Sequence, residues 1–218
     1  HKRFALVYAF TILLISFVSL CFISWHRWAS VVIDGGREMN LPLRLLNGET
    51  IYSQAYYLYG PLAPYINAFL YTIFGVHLNT LYAAGFICSL LILVMVFQIS
   101  RRIMPLLQAT LATLAVMVIC VFKQGGHTPF PYTFSALYGT TLAFFALVNQ
   151  VYFLENRKNI FLIISGFLIG LTLICKQEYA FAAIASALSL MILSSKNRIG
   201  VAVRIFVPAS AIPIITYG

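Results

Sequence analysis

Between Phe4 and Ser24 the chain runs for 21 residues without a charged side chain, and Leu78–Ser100, Ile103–Phe122 and Phe130–Leu154 repeat the pattern. A helix rises about 1.5 Å per residue, so each run can cross a hydrocarbon core about 30 Å thick. Inside hydrocarbon the backbone has no water to bond, and a single apolar run satisfies its own N–H and C=O groups only as a helix. The repetition predicts an all-α fold, a polytopic transmembrane helical bundle. Composition removes the alternatives. Only 9% of the residues are charged and 61% are hydrophobic, against about 25% charged in an ordinary soluble domain. A soluble enzyme, a secreted disulfide scaffold and a disordered chain are excluded. Cys21, Cys88, Cys120 and Cys175 lie in or at the ends of apolar runs, without C-x-x-C spacing. They read as small core hydrophobes rather than metal ligands or a disulfide framework.

The formal charge is +9, from fourteen Lys and Arg against five Asp and Glu. The cations cluster between apolar runs, which is the positive-inside bias of membrane proteins and not a nucleic-acid surface. Residues 2, 3, 101, 102, 157, 158, 196, 198 and 204 fall on the cytoplasmic side; residues 27, 37, 44, 123 and 176 fall outside. The first run is read as a retained helix, because a cleaved signal core is usually about 7–15 residues.

Residues 25–77 form the first outer loop, with two predicted surface helices. Met39, Leu43 and Leu46 follow a helical spacing that stops at Asn47-Gly48, although Pro42 weakens the helix unless it lies in the first turn. Leu62–Phe74 is helical again and ends at Gly75; at about 20 Å it is too short to span easily. Tyrosines at 52, 56, 57, 59, 65 and 71 suit the membrane interface. The 36 residues Ile160–Ser195 are too long for one crossing and have basic residues at both ends, so they predict a hairpin broken at Lys176-Gln177-Glu178. Its arms are short, which sets Lys176 and Glu178 slightly below the outer surface. A further span is expected from near Ile205. Gly166 and Gly170 make a G-x-x-x-G, the sign of close helix packing. Residues 1–218 read as the N-terminal part of one transmembrane domain of about seven spans, within a longer protein.

Asp34, Glu38, Glu49 and Glu178, four of the five acids, fall on the outer face with Lys123, His127 and Lys176. A carboxylate just past a spanning helix, such as Asp34, is suited to act as a general base on an acceptor. Arg37 is suited to pair with Asp34 or with a phosphate; ordinary solvated charges are the plainer reading of that loop. Charges near membrane depth are costly and are usually functional or paired, and a Lys176–Glu178 ion pair ending the hairpin is an equal alternative to a functional role. A lone His127 is more often a surface residue than a metal ligand. Several cations and a carboxylate beside a membrane suit an anionic lipid headgroup. Nucleotides are not available on that face, so an enzyme there needs a donor such as a sugar on a polyprenyl phosphate.

The series Asp34-x-x-Arg37-Glu38, Leu45-Leu46-Asn47-Gly48, Ile51-Tyr52, Tyr59-Gly60-Pro61-Leu62 and Phe74-Gly75 resembles the first outer loop of GT-C fold glycosyltransferases. It is most similar to the bacterial family 39-like group, related to protein O-mannosyltransferases and aminoarabinose transferases. Gly170-Leu171-x-x-x-x-Lys176-x-Glu178 resembles a later segment of that group. The resemblance implies a GT-C-like bundle that moves a sugar from a polyprenyl-phosphate donor to an unidentified acceptor, with inversion, on the outer face of the bacterial inner membrane. Asp34 matches the family's catalytic base, and Arg37 a residue near the donor phosphate. Lys176 and Lys123 are inferred as further phosphate-side cations, with Glu38, Glu178 and His127 in support. Three features depart from the pattern. Tyr59-Gly60 stands where aminoarabinose transferases carry an acidic-Lys pair, Gln54 stands where some relatives carry an acid, and the second outer loop, Lys123–Thr128, has no carboxylate. No metal ligand set is assigned, so dependence on a divalent cation stays open. The rival reading is a membrane transporter or lipid flippase, which would place ionisable residues or broken helices near the midplane. The interiors of the first four spans carry no charge. A noncatalytic membrane scaffold is the remaining alternative.

Overall fold

The computed structural model describes residues 2–27, 34–123, 128–194 and 198–217, and no β-strand is found among them. Its helices are α1 (Lys2–Ser24), α2 (Asp34–Leu46), α3 (Leu62–Phe74), α4 (Leu78–Ile103), α5 (Leu106–Val116), α6 (Phe134–Asn156), α7 (Ile160–Leu173), α8 (Gln177–Leu193) and α9 (Arg198–Tyr217). The fold is the expected helical membrane bundle. Helices α1, α4, α6 and α9 are long and apolar enough to cross a bilayer.

Several boundaries differ from the sequence reading, each for a local reason. The third run begins as a helix only at Leu106, because Pro105 takes the position just before it. It ends in a π-helical turn, Met117–Val121, closed by Phe122 N–H donating to Met117 O at 2.9 Å. The predicted hairpin forms as α7 and α8, with 14 and 17 residues. Helix α9 starts at Arg198, not near Ile205. Arg204 lies inside the helix and its guanidinium donates back to Gly200 O at 2.9 Å, so a long basic side chain does not mark a helix end. Helix α2 starts at Asp34, so Pro42 lies in its interior and not in its first turn. Along α2 Leu41 is buried, whereas Leu43 and Leu46 of the apolar stripe are exposed.

The chain forms two compact units, His1–Asn40 with Phe74–Thr133, and Leu41–Ile73 with Phe134–Gly218. In the first, α1 and α4 pack with α5 around Leu13, Phe17, Leu93, Phe97, Met117 and Phe122. The Phe17 and Phe122 rings meet edge to face, with centroids 5.6 Å apart. At the end of α1, His26 Nε2 lies 2.8 Å from Asn79 Oδ1 and its ring stacks on Tyr82.

In the second unit α6, α7, α8 and α9 close around Leu162, Ile169, Ala187, Leu190 and Ile205. The G-x-x-x-G is the contact between α7 and α9. A Cβ on Gly166 would lie 2.2 Å from Ile205 O, and one on Gly170 would lie 2.8 Å from Ala209 O. Without a hydrophobic drive between helices in lipid, such close backbone approach is what holds them together. Gln150 Nε2 donates to Ser165 Oγ at 3.1 Å between α6 and α7. Helix α3 belongs here through Tyr138, whose hydroxyl donates to the buried Asn67 Oδ1 at 2.6 Å.

Candidate active site

The site is built on the irregular segment between α2 and α3. Gly48 ends α2 with a left-handed backbone, φ +88°. Arg44 then clamps the following turn: its Nε donates to Glu49 Oε2 at 2.7 Å and its Nη2 to Gln54 O at 2.8 Å. Thr50 N–H donates to Gln54 Oε1, and Tyr52 N–H to Ala55 O. Gln54, where some relatives carry an acid, therefore closes the turn, and Glu49 serves as an anchor for Arg44. The fully buried Ala55 and the buried Tyr57 pin the segment to the unit, and the Tyr57 hydroxyl lies 2.9 Å from Ser135 Oγ.

From Tyr59 the segment is strapped across the turn between α7 and α8. Gly60 N–H donates to Cys175 O and Leu62 N–H to Ile174 O, both at 3.2 Å. Glycine is required at the crossing, since a Cβ on Gly60 would lie 2.1 Å from Ile174 O. Two motifs more than a hundred residues apart in sequence thus share one backbone contact.

The strap sets the surroundings of Lys176, which directly precedes α8 and is buried. Its ammonium lies 4.6 Å from the centroid of the Tyr59 ring and 5.6 Å from that of Tyr179. Two aromatic faces replace part of the hydration that a buried cation loses. Gly139 leaves room on the α6 side: a Cβ there would lie 3.3 Å from the Tyr179 ring and 3.5 Å from Lys176 Cβ. Beside Lys176 opens a pocket of about 600 Å³ walled by Tyr52, Tyr59, Glu178, Phe181 and Tyr217. Tyr52 is held with φ +72°, and its hydroxyl donates to Tyr59 O at 2.6 Å. Burial first, and the neighbouring Tyr217 hydroxyl second, push the Tyr52 phenol above its usual range, so it remains a donor at physiological pH. A cation, hydrogen-bonding groups and aromatic walls make this pocket suited to an anionic ligand with a polar, ring-shaped head.

The other predicted residues are distributed as follows. Glu178 is exposed in the first turn of α8, and among the described residues no ion pair joins it to Lys176. The two charges share a pocket wall instead of neutralising each other as a hairpin end. Arg37 Nε lies 3.5 Å from Oε1 of the buried Glu38, and Arg37 Nη2 donates to Tyr132 O at 3.3 Å. Asp34 is the first residue of α2, and its side chain lies outside the described residues. So do His127 and Lys196, whereas Lys123 is exposed just after the π-helical turn. Among the described residues no group of three His, Cys, Asp or Glu is placed to hold a metal ion. The tyrosine walls were not legible as site residues, because in sequence they resemble an interfacial belt.

A family model described as dolichyl-phosphate-mannose-protein mannosyltransferase matches residues 59–216 of the chain. The chain belongs to this family. No curated protein and no solved structure matches it. Membership makes the protein an integral membrane glycosyltransferase, in accord with its apolar helices. The match opens at Tyr59, the first residue of the strap, and takes in Lys176 and the whole of α8. Asp34, Arg37 and Glu38 precede it, and their roles rest on the resemblance read over residues 34–75.

Proposed function

We propose that the protein transfers a sugar from a polyprenyl-phosphate donor to an acceptor on the outer face of the bacterial inner membrane, with inversion at the anomeric carbon. The observation that carries the reading is Lys176, a buried cation on the wall of a polar, aromatic pocket in a membrane-bound member of this family. In such a transfer the acceptor oxygen forms a bond to the anomeric carbon as the bond from that carbon to the phosphate oxygen breaks. The phosphate leaves with one more negative charge than it brought. Lys176 stabilises that charge as it develops, and a fixed cation in a water-poor site needs no reorganisation to do so. Asp34 takes the proton from the acceptor. Arg37, held by its ion pair with Glu38, and Lys123 supply further positive charge toward the donor phosphate, with Glu178 and His127 in support.

The test is sugar transfer from a panel of polyprenyl-phosphate donors, in membranes holding the full-length protein at matched expression. Asp34→Asn is expected to lower kcat by about 10²–10⁴-fold, the usual effect of removing a general base. Lys176→Gln is expected to lower kcat/KM by about 10²-fold or more, in line with the loss of one transition-state charge contact. Equal rates in wild type and Asp34→Asn would remove Asp34 from catalysis. No transfer by wild type across the panel would favour a transporter.

A further inference from the structure

We propose that Tyr52 is a sugar-recognition residue: its ring is the platform on which the pyranose of a lipid-linked glycosyl phosphate lies, beside the phosphate held by Lys176. This rests on the donor reading of the pocket.

Tyr52 has a left-handed backbone, φ +72°, where a Cβ is crowded and glycine fits without penalty. A bulky aromatic residue held there is an outlier of the kind that gathers at ligand sites. The turn is built to hold it. Tyr52 N–H donates to Ala55 O at 2.9 Å, and Arg44 ties the flanking residues through Glu49 and Gln54. The Tyr52 hydroxyl is already committed to Tyr59 O at 2.6 Å. What the residue offers the pocket is therefore the face of its ring, which is half exposed on the pocket wall.

Tyr59 ties this platform to the cation. Its carbonyl receives the Tyr52 hydroxyl, and its ring carries the Lys176 ammonium at 4.6 Å. Ring and charge are thus held in register through one residue. A pyranose presents slightly positive C–H groups on its faces, which rest well on the negative face of an aromatic ring, and hydroxyls around its edge. Gln177 and Glu178 on the same wall offer partners for those hydroxyls. A volume of about 600 Å³ falls in the range of small-ligand sites.

The test is direct binding, with full-length protein in lipid nanodiscs. The probes are polyprenyl phosphate and its mannosyl, glucosyl and N-acetylglucosaminyl derivatives, measured by native mass spectrometry. Wild type is expected to bind at least one glycosyl lipid about three- to tenfold more tightly than the bare phosphate, the scale of one aromatic stacking contact. Tyr52→Gly removes the ring and also relieves the backbone. It is expected to keep the wild-type melting temperature or exceed it, while losing the preference for the glycosyl lipid. Tyr52→Asn, which also accepts this backbone, should behave alike, and Tyr52→Phe should keep the preference within about twofold, since the stacking face survives. Lys176→Gln should weaken all four probes together. A preference retained in both Tyr52→Gly and Tyr52→Asn, or absent in a wild type that binds the bare phosphate, would overturn the role of Tyr52 alone. Failure of wild type to bind any of the four would overturn the donor reading and the platform with it.

Discussion

The Lys176 ammonium stands 4.6 Å from the centre of the Tyr59 ring, so a residue of the segment between α2 and α3 and the residue just before α8 form one unit of structure. Aminoarabinose transferases, which this chain resembles, carry an acidic-Lys pair at the position of Tyr59-Gly60. Here an aromatic face occupies that position and a lysine reaches it from the turn between α7 and α8. The aromatic face of Tyr59 lies within cation–π reach of the Lys176 ammonium. Tyr59→Phe, which keeps that face, should leave the donor KM close to wild type. Tyr59→Leu should raise donor KM by about three- to thirtyfold, as expected for losing a cation–π contact worth about 0.5–2 kcal/mol. Equal KM values for the two variants would show that Tyr59 does not position the cation.

Gly60 should tolerate no side chain. The strap passes so close to Ile174 O that a Cβ would stand 2.1 Å away from a backbone atom, and backbone yields less readily than the tip of a side chain. Gly60→Ala must lift the strap and loosen the hydrogen bonds to Cys175 O and Ile174 O. Overpacking costs about 1–3 kcal/mol, and each lost hydrogen bond about 0.5–1.5 kcal/mol. A fall of several degrees in melting temperature is expected, together with weaker donor binding. A wild-type melting temperature for Gly60→Ala would mean that the strap is not held as described.

The sequence revealed more of the bundle than of the pocket, for physical reasons. Uncharged runs bounded by charges marked most helices, and the break at Lys176 was visible because the 36 residues Ile160–Ser195 are too long for one crossing and carry charges only at Lys176 and Glu178. Pro105 shortened α5 locally, and Arg204 hid the start of α9 by lying back along its own helix. The stripe Met39, Leu43 and Leu46 did not single out the buried Leu41, because in a membrane protein an apolar side chain faces lipid as readily as core. Periodicity finds the stripe and not its partner. The pocket walls depend on the left-handed turn at Tyr52 and on the strap at Gly60. The strap is a contact between distant segments, and the turn is set by side-chain bonds of Arg44 and Gln54; neither is recorded by hydrophobic periodicity.

The two glycines of the G-x-x-x-G should differ in their sensitivity. At Gly166 an added Cβ meets Ile205 O at 2.2 Å and the Pro208 ring at 2.7 Å. At Gly170 the nearest atoms are Ala209 O at 2.8 Å, Ile212 Cγ1 at 2.9 Å and Ile212 Cβ at 3.0 Å, each farther off than its counterpart at Gly166. Gly166→Ala should destabilise the protein by about 2–3 kcal/mol and Gly170→Ala by about 1 kcal/mol, within the usual range for overpacking. Thermal unfolding of the two variants in one detergent measures the order. The reverse order would mean that α9 lies differently on α7.

The proposed orientation can be tested without reference to catalysis. Nine cations assigned inside against five outside require the Lys176–Glu178 turn to face outward and the turn between α6 and α7 to face the cytoplasm. Glu178 and Lys158 are both exposed, so neither depends on local unfolding to react with a thiol reagent once replaced by cysteine. In a background with all four native cysteines changed to serine or alanine, Glu178→Cys should react with a membrane-impermeant maleimide added to intact cells. Lys158→Cys should react only after the membrane is opened. Exposed Lys123→Cys, beyond the π-helical turn, should follow Glu178→Cys. The opposite pattern would put the Lys176 pocket on the cytoplasmic side, where nucleotide-activated sugars are available. It would remove the main reason for a polyprenyl-phosphate donor.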